Sequence, residues 1–497
     1  MEQISKGEKF TTRAIQLCLL LLALSAPMSI AATQTAWALA ILFWLIRLIF
    51  VRPKFQIAKF DIAVLAFVGL TFVSSIFSYE PEVSLRKMVS VLLVTIVCLS
   101  ATNLKDKTML HRMLVLLLAG CFGACIYTFA TQGIGKNLKV VHLTAESPLK
   151  VCGVEDGDTI LNAGGENIQS PSDLISAISR HSNEGFTEVT VYRHELINRY
   201  KIYVGFLSPQ PDQVEWLGII EWSRGRDTRA AGFFGHYTTF AEALQLIASL
   251  ALALLIVAPG GLLSRDRILL AVVVVSAVAA LFLSLTRASW LSFVISAAII
   301  VLIAASRRTA LLCAALAIPI IIGGLIFLQQ KRQVSFIDAK DDSTTWRTMV
   351  WREGINVLIS DPRHLAVGVG MDSLKTHYLD WKMFDNGRQP IGHLHNDYLQ
   401  IAFERGVPAL IAWLVWIYFF LGSLLRRLIF LGKGFKPRLD WPARGLIIGA
   451  FGGTIGFLTS GLVHYNWGDS EVVMILYLIM GMSLAVLRHG HNFAQED

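Results

Sequence analysis

Charge is what this sequence has least of. Only 16% of its 497 residues are Asp, Glu, Lys or Arg, whereas 54% are hydrophobic and the mean hydropathy is +0.56. Soluble globular domains carry about 25% charged residues, so that class is excluded and an all-α polytopic membrane protein is expected. Cysteine is scarce as well. Cys18, Cys98, Cys121, Cys125 and Cys313 fall inside apolar runs and Cys152 stands alone in a polar insert, which leaves neither a disulfide framework nor a thiolate metal cluster. HExxH and CxxC are both absent, so no metal and no cofactor is expected. The first apolar run, from about Ala14, lacks a small-residue cleavage site with a soluble domain beyond it, and reads as a retained span.

What is present is a succession of apolar runs of membrane-crossing length. They lie near 14–31, 34–51, 60–78, 87–104, 109–131, 236–258, 267–285, 287–305, 309–329, 398–425, 443–464 and 469–487, which predicts about 12 transmembrane helices. Basic residues recur at alternate turns: Lys6, Lys9 and Arg13; Arg47, Arg52, Lys54 and Lys59; Lys105, Lys107 and Arg112; Arg265 and Arg267; Arg307 and Arg308; and Arg426 to Arg438. That is the positive-inside pattern, with both termini cytoplasmic. The net charge of +8 follows this topology; membrane lipids are the expected surroundings and no nucleic acid is implied. The expected organisation is therefore residues 1–131 with five helices, an insert at 138–205, residues 214–329 with helices six to nine, a loop at 330–397, and residues 398–497 with the last three helices.

The two long polar segments then face outward, where no nucleotide-sugar pool exists. A group transfer on that side needs a donor already activated and carried across, such as a lipid-linked diphosphate. The second segment ends in "GHLHNDYLQIAFERGVPALI", residues 392–411. On a helix two residues apart point to different faces, so His393 and His395 would not pair on a metal. His395 suits proton transfer from an acceptor hydroxyl; a helix cap or interfacial role is the plain alternative. Asn396 would orient the histidine or, with more weight, cap the helix. Arg229, in "RDTRAAGFFGHYTTFAEAL" with His236, and Arg287, in "SLTRASWLSF", stand at outer turns where arginine is disfavoured. They could snorkel to headgroups or hold a diphosphate. Arg347 and Arg352 in "WRTMVWREG" suit either that task or an interfacial helix. His464 and Asp469, in "HYNWGDSE", are expected first to pair with each other.

These motifs, with "AVGVGMDS", resemble the O-antigen ligase and polymerase superfamily of bacterial inner-membrane proteins. The resemblance implies an inverting, metal-independent glycosyltransferase facing the periplasm. It would use an undecaprenyl-diphosphate-linked glycan as donor and lipid A-core, a growing glycan or a protein as acceptor, the ligase type being favoured. It implies His395 at the catalytic centre and Arg229 and Arg287 on the diphosphate. Arg347, Arg352, His393, Asn396, His236 and His464 are further substrate-binding candidates. The insert "AESPLKVCGVEDGDTILNAGGENIQSPSDLISAIS…TEVTVYR" resembles a small α+β PDZ domain of the bacterial protease type, which implies a peptide or protein ligand. Its Asp156-Gly157-Asp158 reads as a turn in preference to a metal-binding DxD, and Asp341-Asp342 as a solvated turn. A transporter and a PDZ-bearing scaffold are the competing readings; the spans hold few charges, chiefly Glu242 and Glu404.

Overall fold

A computed structural model describes residues 6–51, 58–181, 185–193, 196–203, 216–226, 229–261, 263–306, 308–309, 342–432 and 439–494, with isolated positions between 311 and 326. The first helices are α1 (Lys6–Ser25), α2 (Ile30–Phe50), α3 (Lys59–Ile76), α4 (Pro81–Leu92), α5 (Thr95–Asn103) and α6 (Lys107–Ile134). A small α+β region follows, with β1 (Leu138–Leu143), α7 (Pro148–Val151), β2 (Thr159–Ala163), β3 (Glu166–Asn167), α8 (Pro171–Arg180), β4 (Phe186–Arg193), β5 (Leu196–Tyr203) and β6 (Ile219–Arg224). Beyond it run α9 (Tyr237–Val257), α10 (Arg265–Leu283), α11 (Arg287–Ala304), α12 (Asp342–Ser360), α13 (Pro362–Val367), α14 (Asp397–Gly432), α15 (Trp441–Ser460) and α16 (Ser470–Arg488).

Among the described residues ten helical segments are long and apolar enough to cross a membrane, with α4 and α5 forming one of them. The chain is a multi-pass membrane protein. The first expected span overlaps α1, which is not among those ten, and the expected span at 309–329, apart from isolated positions, lies outside the described residues, as do Asp341 and the side chain of Asp342. Burial separates centre from rim. In α9, α15 and α16 78%, 72% and 83% of the apolar window is buried, against 17% in α2 and 22% in α10 and α11. In lipid, helix association relies on close packing and polar contacts, and α15 supplies both. A side chain at Gly449 would meet the Leu250 backbone at 2.8 Å, and one at Gly456 would meet Gln245 and Ser296 at 2.2 Å. Gln245 Nε2 donates to Ser296 Oγ (2.9 Å), which donates to the Gly452 carbonyl (2.7 Å).

Residues 126–230 form a compact unit of their own. Its antiparallel sheet has the order β5-β4-β2-β1-β6, with β3 paired to β2. Leu138, Val140, Ile160, Leu174, Ile178, Val189 and Val191 fill its core. The strand β6 lies beyond the expected end of the insert at 205. Asp158 is 1% exposed and accepts two bonds from Arg193 (2.7 Å each), while Asp156 accepts from the Leu143 amide (2.9 Å). Both carboxylates of the Asp-Gly-Asp turn are thus engaged within the fold.

In the other unit, the segment after α12 folds onto the turn between α3 and α4. Val350, Val357, Val369, Leu374, Met383, Phe384, Leu394 and Phe403 form its core. The Tyr79 hydroxyl meets His364 Nε2 at 2.9 Å, and the Tyr79 amide donates to the Val369 carbonyl (3.1 Å). The helix α14 is two helical pieces merged across a break at Gly406 (φ 81°, ψ 163°), with Pro408 opening the second piece. A proline at that point fixes φ and needs no donor partner. The break frees the carbonyls at the end of the first piece, and the "VGVG" stretch satisfies them. The Val369 and Gly370 amides donate to the Phe403 and Glu404 carbonyls, each at 2.9 Å. Gly370, at φ 98°, leaves no room for a side chain, which would meet Ser78 Oγ at 1.8 Å.

Candidate active site

The histidine segment is held from three sides before α14 begins. Trp351 Nε1 donates to the Leu394 carbonyl (2.7 Å), and the Leu394 amide donates to Gln400 Oε1 (2.7 Å). Asn396 caps the helix by accepting from the Leu399 amide (2.9 Å) and donates its own amide to the Leu462 carbonyl (2.8 Å). The Asp397 amide donates to the Gly461 carbonyl (2.7 Å), and the buried Asp397 carboxylate accepts from the Trp467 amide (3.0 Å). Gly461 must be glycine here, since a Cβ would lie 2.4 Å from Asp397 Oδ2.

This clamping produces a departure from helical geometry that sequence spacing did not anticipate. His395 sits at φ 48°, in the left-handed region, where a non-glycine residue is held only by its surroundings. Residues 391–396 are not helical, so the expectation that His393 and His395 face apart is corrected. Their rings lie with centroids 4.0 Å apart, and the His395 amide donates to His393 Nδ1 (3.3 Å). Trp346 packs edge-on against His395 at 5.0 Å, and Tyr465 lies 5.3 Å from His393.

The electrostatics favour neutral imidazoles. Burial, the other histidines and Arg347 hold His395 far below the usual histidine range. Burial foremost lowers His393 to about 4, and burial with Arg347 lowers His464 to about 3. A neutral imidazole can accept a proton at neutral pH, and its low basicity in the resting site rises when negative charge from a substrate arrives. Among the described residues no group of three or more His, Cys, Asp and Glu side chains could hold a metal ion.

The structure sorts the remaining candidates. Arg347 is half-buried and acts electrostatically on both His395 and His464, whereas Arg352 is exposed five residues further along α12. Arg287 opens α11, half-buried; the Gln245, Ser296 and Gly453 layer lies about two turns from Tyr237, Arg287 and Ser460, so these three ends share one level. His236 precedes α9, stacks on Tyr237 and approaches Thr239 at 3.2 Å. Arg229 is among the last residues of the other unit. The expected pairing of His464 with Asp469 is replaced by two others: His464 Nδ1 meets Glu242 Oε1 at 2.7 Å, and Thr239 donates to Asp469 at 2.7 Å. Asp469 at the head of α16 faces α9, and His464, one turn after Ser460, turns toward Glu242 instead. Sequence reasoning missed Glu242 and Tyr465 as parts of this site; Glu242, a carboxylate inside an apolar run, was the readable signal.

The arrangement is a polar, largely buried cluster of neutral imidazoles and a guanidinium at the common end of several membrane helices, fit for proton and group transfer. Residues 270–414 match the family model described as O-antigen ligase. That segment runs from α10 through the histidines into α14, and agrees with the resemblance the motifs carry. No curated protein matches the chain significantly.

Proposed function

We propose that the chain is a glycosyltransferase of the O-antigen ligase type, moving a glycan from a polyprenyl diphosphate such as undecaprenyl diphosphate to an acceptor hydroxyl at the periplasmic face of the bacterial inner membrane. The observation that carries the reading is a neutral, geometrically constrained His395 beside Arg347, inside the segment that resembles the ligase family. The acceptor oxygen attacks the anomeric carbon as its proton passes to the imidazole of His395. The bond from that carbon to the diphosphate oxygen breaks on the opposite face, and the centre inverts. The charge left on the diphosphate is met by Arg347 and Arg287, since guanidinium groups stay charged and bind phosphate oxygens in pairs. Glu242 orients His464 at the edge of the same cluster. Among the described residues Glu242 pairs with His464, and Glu404 engages Gln400 and Tyr465, so these two carboxylates belong to the polar cluster around the histidines, which favours the transferase reading over the transporter.

A protein partner is favoured by one further observation. In the 126–230 unit, which we read as PDZ-like, β6 is a sheet edge among the described residues and exposes Ile220 (68%) and Trp222 (44%). An apolar, unpaired edge accepts an extended peptide by strand addition, which suits a protein acceptor or an assembly partner beside lipid A-core or a growing glycan. The test is incubation of the purified full chain in nanodiscs with an undecaprenyl-diphosphate oligosaccharide and, separately, lipid A-core, free glycan and a periplasmic protein. Mass spectrometry of each acceptor identifies the subclass. Intact donor with all three acceptors, from folded protein, refutes the reading.

A further inference from the structure

The last turns of α6, a membrane-crossing helix, carry an apolar surface on which Ile126, Phe129 and Ile134 are exposed. Just beyond them the chain turns at Gly135 (φ 84°), where a Cβ would stand 2.7 Å from Arg224 Cβ, so the end of β6 is packed against the helix exit. Backbone bonds fix this joint. The Lys136 amide donates to the Gly225 carbonyl (2.8 Å), the Gly225 amide to the Asn137 carbonyl (3.1 Å), and the Asn137 side chain to the Leu161 carbonyl (2.8 Å). At the joint lies a groove of about 660 Å³, lined by Ile134, Lys139, Val141, Ser223, Arg224 and Arg226. That volume falls in the ~300–1,000 Å³ range of ligand sites. Lys139 and Ser223 are register partners, so with Val141 they share the sheet face turned away from the core residues Leu138 and Val140.

Charge decides what the groove accepts. Lys136, Lys139, Arg224 and Arg226 stand at the joint, and Arg224 and Arg226 are exposed. The two carboxylates of the turn before β2 are engaged elsewhere, Asp158 with Arg193 and Asp156 with the Leu143 amide and His142. With Glu221 counted, and Asp227, which lies outside the described residues, four cations still stand against two carboxylates. A ligand here is therefore anionic. Guanidinium groups bind phosphate oxygens in pairs, and basic residues beside a membrane span attract anionic headgroups. The apolar part of the wall narrows the choice: Ile134 continues the exposed apolar surface of α6 into the groove, which suits a molecule whose tail lies in the bilayer. A soluble anion makes no use of Ile134 and Val141.

We propose that the groove at the exit of α6 holds the phosphate headgroup of an anionic lipid from the leaflet in which α6 ends. Arg224 and Arg226 bind the phosphate, Lys139 adds charge, and the acyl chains run down the Ile134 side of the helix. The lipid thereby ties the sheet to the membrane surface. The site is independent of the transferase reading, and either can fail alone.

The experiment uses the full chain in nanodiscs containing a phosphatidylglycerol or, separately, a phosphatidylcholine with a diazirine next to the headgroup. After illumination, peptide mass spectrometry locates the adducts. The expected result is labelling of the peptides spanning residues 134–141 and 222–226 by phosphatidylglycerol, roughly tenfold or more above phosphatidylcholine. That labelling falls by a similar factor in Arg224→Gln with Arg226→Gln, and in Ser223→Glu, which sets a carboxylate between them. It is unchanged in Arg199→Gln with Lys201→Gln, which removes the same charge from β5 at the far edge of the sheet. All these positions are on exposed strands or beside them, and Ser223→Glu leaves both arginines in place, so it carries the test where the double variant does not fold. Excess inorganic phosphate and an oligoglutamate peptide are added in parallel and should leave the labelling intact. Equal labelling by the two lipids, undiminished labelling in Ser223→Glu, or loss of labelling to phosphate (a soluble-anion site) or to the peptide (an acidic-peptide site) would each overturn the proposal.

Discussion

Replacing Gly406 by alanine probes the joint on which the site is built. Gly406 lies at φ 81°, ψ 163°, and a Cβ there would stand 2.6 Å from the Ala366 carbonyl oxygen. Forcing an L-residue into such a conformation costs ~1–3 kcal/mol, and relieving a backbone collision costs about the same again, so Gly406→Ala should destabilise the fold by about 2–6 kcal/mol. Gly422 is the internal control. It lies in the second piece of the same helix, with nothing within 4 Å of an added Cβ, and Gly422→Ala should be neutral or stabilising by up to ~1 kcal/mol. Unfolding in mixed SDS and neutral-detergent micelles gives the two stabilities. Hydrogen exchange gives the mechanism: the Val369 and Gly370 amides, protected by the Phe403 and Glu404 carbonyls, should lose protection in Gly406→Ala alone. Equal stability of the two variants, or protection unchanged at Val369 and Gly370, would refute the idea that the break and the glycine strap interlock.

Three further outcomes follow from the geometry. Because burial and neighbouring cations keep His395 neutral, the transfer rate measured against pH should show no fall centred near the ordinary histidine value of ~6.5; a single titration there would contradict this. His393, lowered from 6.5 to about 4, binds its proton more readily in the unfolded chain across that window. The stability it contributes is therefore present above pH 6.5 and lost as pH falls toward 4, and His393→Asn should flatten the acid side of the curve in thermal melts. In the smaller unit, Arg193→Leu strands the buried Asp158 and should cost about 3–5 kcal/mol, read as accelerated hydrogen exchange of β2 and β4.

Much of the helical architecture was legible because apolar runs of membrane length have few alternatives, and the described helices α2 to α6, α9 to α11 and α14 to α16 fall on those runs. The internal joint of α14 was less so. Gly406 and Pro408 are both visible in the sequence, but whether such a pair merely starts a span or breaks one depends on a partner strap nearly forty residues earlier. The histidine geometry was misjudged for a related reason: spacing rules assume a helix, and Trp351, Gln400 and Gly461 hold residues 393–396 outside one. The pairing of His464 with Glu242 crosses 222 residues of chain, and local pattern favours the nearer Asp469. Nor did composition reveal that Arg405 is buried, since an Arg-Glu pair at a helix end ordinarily reads as solvated.

The most direct measurement is glycan transfer from an undecaprenyl-diphosphate oligosaccharide by the purified chain in EDTA, comparing the native protein with His395→Ala, Arg347→Ala and the exposed Arg352→Ala. EDTA-resistant transfer is expected, falling by at least a hundredfold in His395→Ala and strongly in Arg347→Ala, with Arg352→Ala close to native. Native-level transfer by His395→Ala would contradict it.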